Sequence, residues 1–90
     1  MVVEKILEVV MLPVNQSVIG EALFETRPYV EYWDKLKELV EELSTKARGD
    51  EHFLELLERE ILNAQEPFKT DLRIFYQKFK EVLKSGRRTR

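Results

Sequence analysis

Apolar and polar positions alternate along this chain with a period near 3.6, the signature of amphipathic helices. The longest unbroken pattern covers residues 28–48. At about 100° per residue it places Tyr29, Tyr32, Trp33, Leu36, Leu39, Val40, Leu43 and Ala47 on one face. Glu31, Asp34, Glu38, Glu41, Glu42 and Thr45 fall opposite, where Glu31–Lys35, Lys37–Glu41 and Glu42–Lys46 are spaced as i,i+4 ion pairs. So broad an apolar stripe must be covered, and the other segments are expected to organise around it. Gly49 marks the helix end, with Lys46 and Arg48 suiting the negative end of the helix dipole.

The flanking segments carry the same period. Asp50 is the expected cap of a helix over 50–65, whose apolar face holds Phe53, Leu54, Leu56, Leu57, Ile61 and Ala64. Two residues depart from that pattern. Glu60 projects inside the apolar arc and is expected to reach water near the helix end, and Leu62 projects from the polar side. Glu66 and Pro67 stop this helix. Thr70 is the expected cap of a last helix over 70–85, with Leu72, Phe75, Tyr76, Phe79, Val82 and Leu83 inward and Ile74 outward. Ser85 and Gly86 are expected to end it.

Ahead of residue 28 the pattern is broken into two short pieces. Val2 to Leu12 is apolar nearly all round, with only Glu4, Lys5 and Glu8 marking a wet face. It reads as a helix rather than a strand, because no second strand is present to pair with it. Pro13 breaks the run. Asn15, Gln16 and Ser17 then offer caps for a short helix to about Thr26, with Ile19, Ala22 and Leu23 inside. Gly20 weakens that helix by roughly 1 kcal/mol relative to Ala, a cost that close packing against a neighbouring helix would explain.

These elements predict an all-α fold: a small up-and-down bundle of four to five helices, two short N-terminal ones broken at Pro13 and three amphipathic ones. Ninety residues suit one domain, taken as 1–86, followed by a basic tail at 87–90. A chain this short buries about 60–65% of its unfolded surface and has little spare volume for a buried cofactor.

Composition narrows the chemistry. The charged fraction is 36%, high against a typical value of about 25%. The wealth of Glu, Lys, Arg and Leu leans toward a thermophile. No cysteine is present, which excludes disulfides, thiolate nucleophiles and Cys-ligated metal. The N-terminus lacks the basic region of a signal peptide, and no run reaches the ~20 apolar residues of a membrane span. The expected setting is cytoplasmic, without membrane contact.

No phosphate-cradling glycine loop and no nucleophile–base pair is visible. His52, the single histidine, reads as solvent-facing at the start of a helix. Glu38, Glu41 and Glu42 form an ExxEE cluster that resembles the metal-binding helices of nucleotide pyrophosphatases. That role needs facing acids from a partner helix. Glu38 and Glu41 point away from the apolar stripe, so the cluster reads as a solvated charged face. The expectation is a protein with no catalytic residue, metal or cofactor.

Two surfaces remain. Arg73, Lys80, Lys84 and Arg87 fall in a narrow arc of the last helix, and Arg88 and Arg90 extend it. A one-sided basic edge can neutralise phosphates. The second surface is surplus apolar area, with Leu62, Ile74, Tyr29 and Trp33 as candidate contacts. Small all-α chains often complete their cores by association. The sequence therefore predicts a non-enzymatic interaction or assembly module, self-associating or part of a larger complex. The alternative is a nucleic-acid accessory protein contacting phosphates through the basic helix and tail.

Overall fold

The computed structural model describes residues 14–89, with side chains from 14 to 85. Its helices are α1 (Gln16–Thr26), α2 (Trp33–Lys46), α3 (Asp50–Asn63) and α4 (Phe68–Thr89), with a 3₁₀ turn at Arg27–Tyr29 after α1. No strand occurs among the described residues, and the fold is a small all-α bundle. The helix expected over Val2–Leu12 lies outside the described residues.

Helix α1 starts where its cap chemistry places it. The Asn15 side-chain oxygen accepts from the N–H groups of Ser17 and Val18 at 3.1 and 3.3 Å. Ile19, Ala22, Leu23 and Thr26 form its buried side. Gly20 is exposed, and a Cβ built there would meet nothing within 4 Å. No described helix approaches Gly20, so the close packing expected at that glycine is not made by the bundle itself.

The pattern over 28–48 does not become one helix. Residues 27–29 form the 3₁₀ turn, Val30 is extended, and α2 begins only at Trp33. The cause lies forty residues away. The buried carboxylate of Asp71 accepts from the backbone N–H groups of Glu31 and Tyr32, the shortest bond being 2.8 Å. Tyr32 occupies the N-cap position and has no side-chain acceptor of its own. Asp71 supplies it from another helix. Tyr29 and Tyr32 consequently leave the apolar stripe and stand exposed. The Glu31–Lys35 pair goes with them, whereas Lys37–Glu41 and Glu42–Lys46 form at 4.0 and 3.3 Å.

The link from α2 to α3 turns on Gly49. Its φ of 150° lies where side chains are rarely accommodated, and it serves as the N-cap of α3 rather than the end of α2. Asp50 is thereby displaced into the first turn, where its carboxylate accepts from the Asn15 N–H at 3.1 Å and ties the start of α1 to the start of α3. The His52 Nδ1 accepts from the Arg48 N–H at 3.0 Å, closing the same turn.

Helix α4 also starts earlier than Thr70. The Glu66 carboxylate accepts from the Thr70 N–H and hydroxyl at 3.0 and 2.6 Å, and it caps a helix that begins at Phe68. The hydroxyl bond holds the Glu66 carboxyl below its usual pKa. At the other end, Gly86 does not stop the helix, which continues to Thr89. A helical glycine costs about 1 kcal/mol, too little to break an established helix.

The core shows which element organises the fold. Leu72, Phe75, Phe79 and Val82 of α4 meet Leu36, Val40 and Leu43 of α2, Phe53 and Leu57 of α3, and Ile19, Ala22 and Leu23 of α1. Phe53, Phe75 and Phe79 form an aromatic knot, with centroids 5.0–6.3 Å apart and two edge-to-face pairs. Helix α4 packs against each of the other three, most extensively against α1. The hub is therefore α4, not the 28–48 stretch. On the rim, the Tyr76 hydroxyl donates to the Glu58 carboxylate, which together with burial pushes the phenol up to about 12. That contribution to stability is complete below pH ~10 and is lost as the pH rises through about 12.

Candidate interaction surface

The exposed face of α1 runs through Ser17, Gly20 and Phe24 and continues onto the 3₁₀ turn at Pro28 and Tyr29. Phe24 is 78% exposed and Tyr29 is 70% exposed. Together with Glu25, Arg27, Pro28 and Lys78 they line an open groove. Periodicity alone explains why Phe24 faces out. The inner face of α1 passes through Ile19, Ala22, Leu23 and Thr26, and Phe24 lies about 200° from Ala22. A side chain this apolar on the wet side of a short helix is a signal the sequence carried, and it was not among the residues expected to form a partner surface.

A second groove adjoins the first across α4. Tyr29, Thr70, Arg73, Ile74, Gln77, Lys78 and Glu81 line it. Two of the expected contact residues, Tyr29 and Ile74, are thus brought together. Trp33 is not free in the same sense. It is half-buried against the core, and the Arg27 guanidinium covers its ring at 5.2 Å. Leu62 is 78% exposed on α3 and lines neither groove.

Electrostatically the surface is mixed. Lys78 bonds Glu81 at 3.2 Å and lies 3.7 Å from Glu25, and chiefly the Glu81 bond raises its pKa. Arg27, Arg73, Lys80 and Lys84 make no ion pair among the described residues. Arg73, Lys80 and Lys84 are all exposed, and the Lys80 ammonium sits 5.1 Å from the centre of the Tyr76 ring. The side chains of Arg87 and Arg88, and all of Arg90, lie outside the described residues.

The acidic side of the molecule forms a different cleft. Glu38 and Glu42 of α2 line it with Glu60 of α3, Glu66 and Lys35. Glu60 is half-buried there. Facing acids are thus present, yet among the described residues no group of three His, Asp or Glu side chains is placed to hold a metal ion. No described helix is long and apolar enough to cross a membrane.

The model of the MJ1579 family matches residues 16–84, from the start of α1 through most of α4. The chain belongs to the MJ1579 family. The matched region takes in both grooves and the hub helix that carries Arg73, Ile74 and Lys80. No curated protein and no solved structure matches the chain.

Proposed function

We propose that this member of the MJ1579 family is a non-enzymatic protein–protein interaction module, and that its groove at Phe24 and Tyr29 receives an amphipathic helix with an acidic edge. The observation that carries the reading is the pair of exposed aromatics, at 78% and 70%, side by side in one concavity. Exposing two large rings to water is unfavourable, and an apolar patch rimmed by polar groups is the usual mark of a partner site. An apolar helical stripe would cover Phe24, Pro28, Tyr29 and Ile74, as in other helix-in-groove contacts. Acids along its edge would face Arg27 and Arg73, the two guanidinium groups beside the grooves that make no ion pair among the described residues.

A second reading, contact with nucleic-acid phosphates, is favoured by one feature: Arg73, Lys80 and Lys84 stand exposed along α4 and make no ion pair among the described residues. One experiment separates the two. Fluorescein-labelled model helices with a Leu stripe flanked by Glu, or by Lys, are titrated by anisotropy alongside a labelled single-stranded DNA. The interaction reading expects the Glu peptide to bind, the Lys peptide to bind at least several-fold more weakly, and Phe24→Ser with Tyr29→Ser to remove binding. Failure of both peptides, with DNA binding that falls steeply with salt, would move the function to the basic stripe.

A further inference from the structure

Two exposed features of this chain answer each other in chemistry. The first is the pair of adjoining grooves, where Phe24 is 78% and Tyr29 is 70% exposed beside Ile74. The cations around them are not equivalent. Lys78 is held between Glu25 and Glu81, whereas Arg27 and Arg73 make no ion pair among the described residues. An apolar surface is thus flanked by two guanidinium groups that can attract acids.

The second feature lies on the outer side of α3. Glu51, Glu55, Glu58 and Leu62 are spaced four, three and four residues apart, which at about 100° per residue puts them within an arc of about 60°. All four are exposed, and Leu62, at 78%, is as exposed as Phe24. The three acids make no ion pair among the described residues, although Glu58 accepts from the Tyr76 hydroxyl. Glu51 and Glu55 are like charges one turn apart, an unfavourable pairing on a helix surface. An acidic ridge that ends in an exposed leucine matches the groove in both respects, apolar to apolar and acid to base. Within one chain the two do not meet, because none of these four residues lines either groove.

We infer that the chain self-associates by seating this ridge in the groove of a second copy: Leu62 rests on Phe24 and Tyr29, and the acids of α3 face Arg27 and Arg73. The inference rests on the interaction reading above and names the helix that the groove receives. The giving and receiving surfaces differ, so the contact is heterologous. One leucine on two rings is a small apolar anchor. The association is therefore weak, and charge sets its orientation.

The test uses the full chain. Sedimentation across micromolar to millimolar concentration is expected to show a mass rising above that of a single chain. Leu62→Glu removes the anchor, and Phe24→Ser with Tyr29→Ser removes the receiving face. All three side chains are exposed, so both variants are expected to keep their helicity by circular dichroism. Each variant alone is expected to raise the dissociation constant by about tenfold or more. An equimolar mixture of the two holds one intact ridge and one intact groove, and it is expected to restore a complex of two chains. Glu55→Lys is expected to weaken association with every apolar contact left in place. A single-chain mass at every concentration, an association indifferent to Leu62→Glu or to Glu55→Lys, or a mixture that stays dissociated overturns the proposal. Binding of the Glu-edged peptide by a monomeric chain would then leave the interaction reading standing, and failure of both would remove both.

Discussion

At the scale of single residues, the most informative groups are polar ones in apolar places. Thr26 ends α1 fully buried, and its hydroxyl has no hydrogen-bond partner among the described residues. A buried hydroxyl without a partner costs on the order of 1–3 kcal/mol in lost hydration. Valine has nearly the same shape and no such group to satisfy. Thr26→Val is therefore expected to stabilise the fold by about 0.5–1 kcal/mol, read as a higher midpoint in urea at unchanged slope. A loss of stability would mean that the hydroxyl has an acceptor. The residue scale is also where the sequence was least legible. Phe24 was visible as an outward ring, since it falls off the Ile19–Ala22–Leu23 face. Asp71 was not, because its role depends on which loop the bundle brings to it.

At the scale of elements, helix existence was legible from period and helix boundaries were not, for a physical reason. Periodicity records which side chains are buried in common. Boundaries are decided by who receives the orphan N–H groups at each helix start. For α1 that acceptor is local, Asn15, the first of the three caps the sequence offers. For α2 the acceptor is Asp71, on another helix, and the sequence pattern ran on through Pro28 where the structure turns. For α4 it is Glu66, four residues ahead of the expected cap. Removing the long-range cap tests this account. Asp71→Ala strands the N–H groups of Glu31 and Tyr32 and is expected to cost about 2 kcal/mol, or roughly 10 °C in Tm for a domain of this size. Asp71→Asn keeps one acceptor oxygen and should cost less. Equal and negligible losses in both would show that water serves these N–H groups as well as the carboxylate does.

At the scale of the whole molecule, the fold is a hub with three attached helices rather than a ring of equal partners. Helix α4 supplies Leu72, Phe75, Phe79 and Val82 to the shared core and packs on each of the other three, most extensively on α1. The 28–48 stretch had looked like the organiser because its pattern is the longest. Once Tyr29 and Tyr32 turn outward, α2 keeps only Leu36, Val40 and Leu43 fully in the core among its large apolar side chains. This arrangement has a consequence for local stability. Opening α1, α2 or α3 alone gives up one face of the hub, while opening α4 gives up all of them together. Amides of Leu72, Phe75 and Phe79 should accordingly exchange with solvent only through global unfolding, and those of α1 through smaller openings. Native-state hydrogen exchange in rising urea measures this directly. Amides on α4 are expected to share the largest free energy and the full denaturant slope, with α1 below them by about 1 kcal/mol or more. The ordering bears on function as well. The groove is built on α1 and the 3₁₀ turn with Lys78 of the hub at its edge, so a helix seated at Phe24 and Tyr29 and reaching Ile74 would clamp the less stable element to the most stable one. Slowest exchange on α2 would instead return the organising role to the stretch with the longest pattern.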